Sequence, residues 1–118
     1  MDQDLATQLE RIGAPQVVVV GDAILDRYVW GEAARVSPEA PVVVLRADHD
    51  EVRLGGAASV ACLLRGLGAQ VTLAGVIGDD ADGRRLRGLL ADCQIADALV
   101  VDPSRPTTSK ERLMGRAA

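Results

Sequence analysis

Apolar runs alternate with amphipathic segments along most of the chain. Residues 17–20, 71–77 and 95–101 form continuous or nearly continuous apolar runs, which are typical of strands covered on both faces. Between them, residues 57–67 and 79–93 carry leucines at helical spacing. The order strand, helix, strand, helix, strand implies right-handed crossovers. The pattern therefore predicts an α/β fold with a mostly parallel sheet flanked by helices.

A short amphipathic helix is predicted before the first strand. Leu5, Leu9 and Ile12 recur at helical spacing, and Gly13 and Pro15 end the segment. This helix leads directly into the first apolar run.

The pattern changes between residues 27 and 54, where apolar and polar residues alternate. Strands are expected over residues 42–46 and 51–54, joined by a turn at residues 48–50. Residues 107–114 alternate again and are expected to rejoin this small antiparallel sheet. A half-exposed sheet of this kind can close over a ligand, so we call residues 27–54 and 107–114 the lid.

Composition narrows the class of protein. The chain has 118 residues, of which 48% are apolar, so it suits one domain with a real core and is not disordered. Its 13 Lys and Arg residues stand against 17 Asp and Glu residues, which gives a net charge of −4. The basic residues are scattered apart from Arg84, Arg85 and Arg87. Nucleic-acid binding is therefore disfavoured.

The sequence also bears on location. No run approaches the roughly 18 apolar residues of a membrane span, and the first residues lack the positive flank of a signal peptide. We therefore expect a cytoplasmic protein with no membrane partner. Cys62 and Cys93 each lie in an apolar, helix-like segment, which favours buried thiols in a reducing compartment over a disulfide framework.

Two adjacent glycines, Gly55 and Gly56, lie between a strand-like run and a helix-like run. Glycine lets a ligand approach the backbone and permits a positive φ. The helix that follows begins with N–H groups that suit anions and hydroxyl oxygens. The pair therefore predicts either a small polar ligand over Gly56 or a tight turn without a ligand.

Asp22 and Asp26 follow the first strand, where ligands bind in open α/β sheets. A carboxylate there repels phosphate but accepts hydrogen bonds from sugar hydroxyls. The alternative is a pair of loop or cap aspartates. A dinucleotide site is disfavoured, because residues 21–26 lack the G-x-G-x-x-G pattern.

Basic side chains in the lid are candidates for binding a phosphate group. Lys110 and Arg112 alternate onto one face of the last strand-like run, and Arg35 lies beside a proline turn. Tyr28 and Trp30 share one side of another lid strand. Solvated surface charges are the alternative interpretation of the basic residues.

Other kinds of chemistry have little support in the sequence. His49 lies in a polar segment with no second histidine and no cysteine nearby, so we interpret it as a surface residue. Neither a metal-ligand cluster nor a nucleophile with its base is recognisable from the sequence, and no catalytic residue is predicted.

Residues 55–61, with Gly68 and Gly78 at their spacings, resemble the first sugar-binding signature of the ribokinase-like carbohydrate kinases, the PfkB family. The family usually has Asn where this chain has Ser59, which offers a shorter reach and one fewer hydrogen-bonding group.

A narrower resemblance extends over residues 17–112. Residues 21–28, residues 35–42 with their Ser-Pro-Glu-Ala-Pro run, and residues 106–110 are similar to the bacterial heptose 7-phosphate kinases within that family, which are commonly fused to an adenylyltransferase.

The resemblance implies ATP-dependent phosphorylation, with Mg²⁺, of the anomeric hydroxyl of D-glycero-β-D-manno-heptose 7-phosphate, on the way to ADP-heptose and lipopolysaccharide. Asp22, Gly55, Gly56 and Ser59 would hold the sugar, and Asp26 would assist them. The resemblance also suggests a homodimer formed through the lid. Three basic residues are hypotheses from charge and lid position for the existing phosphate, namely Lys110, Arg112 and Arg35.

Family members carry their catalytic aspartate in a Gly-Ala-Gly-Asp loop, and most of their ATP site, in a later part of the domain. We therefore expect residues 1–118 to be the N-terminal portion of a single kinase domain and to be inactive alone. Two alternatives stay open, namely a kinase for another sugar or a nucleoside, and a non-catalytic sugar-binding module.

Overall fold

Two three-stranded sheets organise the chain, which a computed structural model describes from residue 2 to residue 117. The elements in order are α1 (Asp2–Ile12), β1 (Gln16–Val20), β2 (Ala23–Val36), β3 (Val43–Gly56), α2 (Ala57–Gly66), β4 (Gln70–Ile77), α3 (Ala81–Asp92), β5 (Ala96–Val101) and β6 (Ser109–Arg116).

The core sheet has the strand order β1-β4-β5, and both of its strand pairs are parallel. Helices α2 and α3 connect and cover these strands, as the alternation of apolar runs and leucine-rich segments predicts. Leu73 and Ile77 of β4 and Leu86 and Leu90 of α3 are fully buried together. The predicted α/β fold with a parallel sheet is confirmed.

One expectation about this sheet is wrong. Strand β1 is covered on one face only, because the buried residues of α2 and α3 pack against the same face of the sheet. Val18 and Val20 point to the other face and are 65% and 76% exposed. Val76 and Val100, which are paired on β4 and β5, continue this open apolar face. Strand β1 also lies at the edge of its sheet.

Helix α1 forms over the segment that the leucine spacing predicts. Its apolar side chains do not enter the core, since Leu5, Leu9 and Ile12 are between 55% and 60% exposed.

The lid sheet has the order β3-β2-β6, with β2 and β3 antiparallel and β6 parallel to β2. The last strand therefore rejoins the lid, as predicted. The predicted turn at residues 48–50 is wrong, because β3 runs without a break through this segment. A register shift between Trp30 and Gly31 absorbs the extra residue as a bulge. A Cβ at Gly31 would collide with the Arg46 carbonyl oxygen, so glycine permits the close approach of the two strands.

Candidate functional site

The site begins where the end of β1 meets the turn between β3 and α2. The N–H of Ala57 donates to the Asp22 carbonyl oxygen at 2.8 Å. Gly56 has φ 57° and ψ −134°, and a Cβ there would collide with the same carbonyl oxygen. Only glycine fits this position. The turn therefore fixes Asp22 beside the first turn of α2, as expected of a ligand-binding edge of the sheet.

Ser59 lies in the first turn of α2. Its hydroxyl donates to the Gly56 carbonyl oxygen at 2.8 Å, so its proton is used within the helix. The Oγ atom still has a lone pair that can accept a hydrogen bond from a ligand. Ser59 is thus placed beside the glycine pair, as its position in the motif predicts, and it offers an acceptor there.

Asp26 lies over Gly55 on the neighbouring strand. Strands β2 and β3 pair Ile24 with Gly55 and Asp26 with Arg53. A Cβ built on Gly55 would lie 2.5 Å and 2.8 Å from the two carboxylate oxygens of Asp26. Real side chains do not approach so closely, so the bare Gly55 backbone leaves room for this carboxylate. The Asp22 backbone, just before β2, and the Asp26 carboxylate, within β2, therefore both lie against the glycine pair.

The face of the lid that carries Asp26 is basic and aromatic. The strand register pairs Asp26 with Lys110 and Tyr28 with Arg112, so these four side chains share one face. The guanidinium carbons of Arg53 and Arg112 lie 4.7 Å and 5.6 Å from the centre of the Tyr28 ring. Cations at these distances are attracted by the ring face, which orients both arginines.

The basic side chains on this face differ in whether they form an ion pair. Arg53 forms an ion pair with Glu51. Among the side chains of residues 4–117, no ion pair involves Lys110 or Arg112. A cavity of about 370 Å³ lies along β2 and β6 and is lined by Asp26, Tyr28, Lys110 and Arg112, together with neighbouring residues. Asp26 and the two cations without an ion pair therefore line the same cavity, to which Arg27 and Glu111 also contribute.

Arg35 is not brought to this face. It pairs with Val44 near the far end of β2, nine residues from Asp26 in the same strand. At the strand rise of about 3.3 Å per residue, the two positions are roughly 30 Å apart. Within one chain, Arg35 cannot share a small ligand with Asp26.

Tyr28 and Arg53 are members of this face that the sequence did not mark as site residues. The signal that could have found them is their period of two, because Tyr28 follows Asp26, and Arg53 precedes Gly55, at strand spacing. The pairing between β2 and β3 then brings Arg53 beside Asp26.

A hydrogen-bond network fixes the start of β6 to the start of α3. Asp80 caps α3 by accepting from the Gly83 N–H at 2.8 Å, and it also accepts from the N–H and the hydroxyl of Thr107 at 2.8 Å and 2.6 Å. The Thr107 oxygen in turn accepts from the Gly78 N–H at 2.9 Å. The Thr107 hydroxyl and N–H, followed by the Gly83 N–H, lower the pKa of Asp80. This network sets the position of Lys110 and Arg112 relative to the core.

A family model described as pfkB family carbohydrate kinase matches residues 14–116. The chain belongs to the pfkB family of carbohydrate kinases. The family predicted from the glycine motif is confirmed, and the match includes the glycine turn and all three strands of the lid.

Relatives within the family include the heptose kinases that the sequence resembles. The chain is 52% identical over 107 residues to the D-beta-D-heptose 7-phosphate kinase of Bordetella bronchiseptica, a match that covers 91% of this chain and 34% of that protein. It is 46% identical over 109 residues to the bifunctional protein HldE of Rhodopseudomonas palustris, covering 92% of this chain and 22% of the relative. The pfkB chain thus spans about a third or less of the length of these curated relatives.

Solved structures of kinases share its fold. A carbohydrate kinase from Agrobacterium tumefaciens superposes with a TM-score of 0.70 at 22% identity, covering 84% of this chain and 31% of that one. Phosphofructokinase-2 from Escherichia coli superposes with a TM-score of 0.67 at 24% identity, covering 83% and 30%. At these identities the likeness establishes the fold alone, and it agrees with the predicted ribokinase-like architecture with a β lid.

Between residues 4 and 117, no three His, Cys, Asp or Glu side chains gather as the ligands of a metal ion would. Within the same residues, no helix is long and apolar enough to cross a bilayer.

Proposed function

We propose that this pfkB chain is the sugar-binding and lid portion of an ATP-dependent kinase that acts on a sugar phosphate of the heptose 7-phosphate type. The observation that carries the proposal is the shared face of Asp26, Lys110 and Arg112. A carboxylate accepts hydrogen bonds from hydroxyls, and Lys and Arg bind phosphate. A sugar phosphate presents both kinds of group. The similarity to heptose 7-phosphate kinases supports this choice of substrate class.

In this proposal the sugar lies over the glycine turn. Asp22, Asp26 and Ser59 accept hydrogen bonds from its hydroxyls, and Gly55 and Gly56 let it approach the backbone. The contact between the Ala57 N–H and the Asp22 carbonyl oxygen supports this arrangement, because it holds the acceptors in one place before a ligand arrives.

Lys110 and Arg112 bind the phosphate already present on the sugar. Both cations lack an ion-pair partner among the side chains of residues 4–117, so their charge is available to a ligand. Tyr28 orients Arg112 by its ring face. A planar guanidinium offers two parallel N–H donors to a phosphate, and the Lys110 ammonium adds a mobile charge beside it.

We assign Arg35 to a different contact. It lies in the half of the lid that is far from the glycine turn, where Val36, Val42 and Val43 are between 58% and 59% exposed. We propose that this half packs against the lid of a second copy, so that Arg35 acts at the dimer contact. A Val43→Asp variant is expected to reduce the dimer fraction in sedimentation velocity, and an unchanged sedimentation coefficient would contradict this assignment.

The chain's own residues are proposed to bind and orient the sugar phosphate and nothing more. Among the side chains of residues 4–117, no three His, Cys, Asp or Glu gather as metal ligands. We assign no residue here to Mg²⁺, to ATP or to the proton of the anomeric hydroxyl. We expect the purified chain to bind the sugar phosphate without phosphorylating it. The short span relative to the heptose kinases supports this expectation.

The test is calorimetric titration of the 118-residue chain with D-glycero-β-D-manno-heptose 7-phosphate and with the same heptose lacking phosphate. Removing a charge-assisted phosphate contact by Lys110→Ala or Arg112→Ala is expected to weaken binding of the phosphorylated sugar about 10-fold or more and to leave the other sugar unaffected. Asp26→Asn is expected to weaken both.

Arg11→Ala is the matched control, because it removes the same charge from α1, outside the lid and the glycine turn. It is expected to bind both sugars as the parent chain does. Equal losses for both sugars in the Lys110 and Arg112 variants would contradict the phosphate assignment. Absence of binding by a chain with a native circular dichroism spectrum would contradict the proposed function itself.

A further inference from the structure

Cys62 and Cys93 meet between the two helices that cover the core sheet. Cys62 lies on α2 and Cys93 is the C-terminal cap of α3, 31 residues later in the chain. Their sulfur atoms are 3.4 Å apart. Both thiols are free and half-buried, so the expectation of fully buried cysteines is only partly met. The separation in sequence means that any bond between them would join two helices.

The surrounding structure holds the two sulfur atoms at this distance. The Arg65 guanidinium on α2 donates to the Gln94 side-chain oxygen at 2.8 Å, directly beyond Cys93. The end of α3 is closed by bonds from the Gln94 N–H to Ala91 and from the Ile95 N–H to Leu90, at 3.0 Å and 2.9 Å. This double closure is a Schellman motif, which fixes the last turn of a helix. Neither cysteine depends on a mobile loop for its position.

The pair is also open to small molecules. Both cysteines line an apolar groove of about 880 Å³, whose walls include Leu63, Leu67 and Leu89. Leu63 and Leu67 are 69% and 83% exposed, so the groove opens to solvent. A small uncharged oxidant can enter such a groove.

We propose that Cys62 and Cys93 are a redox-responsive pair that hydrogen peroxide converts into an intrachain disulfide between α2 and α3. The sulfur atoms of a disulfide are about 2 Å apart, so the bond requires them to approach by roughly 1.4 Å. Side-chain rotation and a small helix shift provide such a movement. The groove also includes Arg53 and Ser59 of the candidate site, but the inference rests on the positions of the two thiols and does not require sugar binding.

The reaction balances with one peroxide molecule. The Cys62 thiolate attacks the O–O bond and becomes a sulfenic acid, and the departing hydroxide takes up the thiol proton to form water. The Cys93 thiol then attacks the sulfenic sulfur, forms the S–S bond and releases a second water. The two thiols together lose two electrons, and the peroxide gains them and is reduced to two waters.

The order of attack follows from the environment of Cys93. Its hydrogen bond with Cys62, and then burial, raise the pKa of the Cys93 thiol. A thiol that keeps its proton is a poor first nucleophile. Cys93 therefore acts second, as the thiol that resolves the sulfenic acid.

The test uses the reduced chain, freed of reductant and treated with hydrogen peroxide at low protein concentration. The intact mass is expected to fall by about 2 Da as the titratable thiols disappear, and dithiothreitol is expected to reverse both changes. The oxidised form is expected to melt several degrees higher, because the bridge closes a loop in the unfolded chain.

Single variants provide the controls. Cys93→Ser is expected to retain a sulfenic acid, seen as a gain of about 16 Da that dimedone captures, and Cys62→Ser is expected to form no intrachain disulfide. The measurement on the parent chain does not depend on how well these variants fold. Disulfide-linked dimers, or sulfinic acid without loss of about 2 Da, in the parent chain would overturn the proposal.

Discussion

The carboxylate of Asp26 occupies the space that a side chain at Gly55 would fill. A Cβ on Gly55 would lie between 2.5 Å and 2.8 Å from the three carboxyl atoms of Asp26. Glycine at position 55 is therefore required by a partner on the next strand. At Gly56, by contrast, the positive φ itself favours glycine. The two positions of the motif therefore require glycine for different physical reasons.

Gly55→Ala is expected to displace the Asp26 carboxylate while preserving the fold. The short Asp26 side chain can rotate away, so we expect destabilisation of about 1–2 kcal/mol, typical of overpacking. Sugar binding by the chain is expected to fall about 10-fold or more, because the displaced acceptor no longer faces the ligand. Urea unfolding and calorimetric titration of the same preparation measure the two effects.

The control for this substitution is Gly88→Ala. Gly88 lies within α3, and a Cβ there meets no atom within 4 Å. The change is expected to stabilise the chain by about 0.5–1 kcal/mol, since alanine favours a helix interior. In a double-mutant cycle, Asp26→Ala should remove the stability penalty of Gly55→Ala. A penalty that persists without the Asp26 side chain would contradict the proposed clash.

Asp80 is expected to make the chain sensitive to acid. Its hydrogen bonds with Thr107 and Gly83 lower its pKa, so the folded state binds a proton less readily than the unfolded state. The resulting stabilisation is complete above the ordinary aspartate pKa of about 4 and is lost as pH falls through the lowered value. Asp80→Asn should therefore flatten the fall in melting temperature between about pH 5 and pH 2.

Asp79→Asn tests whether this effect belongs to Asp80. It removes the same charge from the adjacent position, where the exposed carboxylate pairs with Arg84 at 3.6 Å. Its melting temperature is expected to fall with acid as steeply as that of the parent chain. If the two variants respond to acid alike, the hydrogen bonds of Asp80 are not the cause.

Thr107 is the buried partner in the same network, with 4% of its surface exposed. Thr107→Val keeps the shape but leaves the Gly78 N–H without its acceptor. We expect a loss of about 1–3 kcal/mol, the usual penalty for a buried donor without a partner. Thr107→Ser keeps the hydroxyl and should lose less. Chemical unfolding distinguishes them, and equal losses would show that the hydroxyl contributes no more to stability than the methyl group does.

The core of the fold is predictable from local pattern, and the exposure of its strands is not. Apolar runs and leucine spacing predict every core strand and helix, because burial of one face imposes those periods. The open face of Val18 and Val20 depends on which side both helices pack, and no local pattern encodes that. The continuous β3 was missed because the polar residues 48–50 resemble a turn, whereas a bulge opposite Gly31 accommodates them.

The candidate site is predictable to a similar extent. The alternation of Lys110 and Arg112 already indicates that they share a face. Their proximity to Asp26 depends on the register between β2 and β6, which joins segments far apart in the chain. Charge alone cannot distinguish Arg112 from Arg35, since only the strand pairing shows that Arg35 lies at the other end of β2.

Gln94 offers a test of backbone strain at the end of α3. Within residues 2–117 it is the only non-glycine residue with a positive φ, at 58°. Gln94→Gly and Gln94→Ala both remove the hydrogen bond from Arg65. Only glycine adopts the left-handed conformation freely, so Gln94→Gly should be more stable than Gln94→Ala by about 1 kcal/mol. Gly68 follows the C-cap residue of α2 as Gln94 follows that of α3, and it has φ 100°. Replacing this glycine tests the opposite change, so Gly68→Ala should be destabilised by a similar amount. Thermal unfolding of the three variants compares them, and equal stability of the two Gln94 variants would show that the left-handed backbone is not a source of strain.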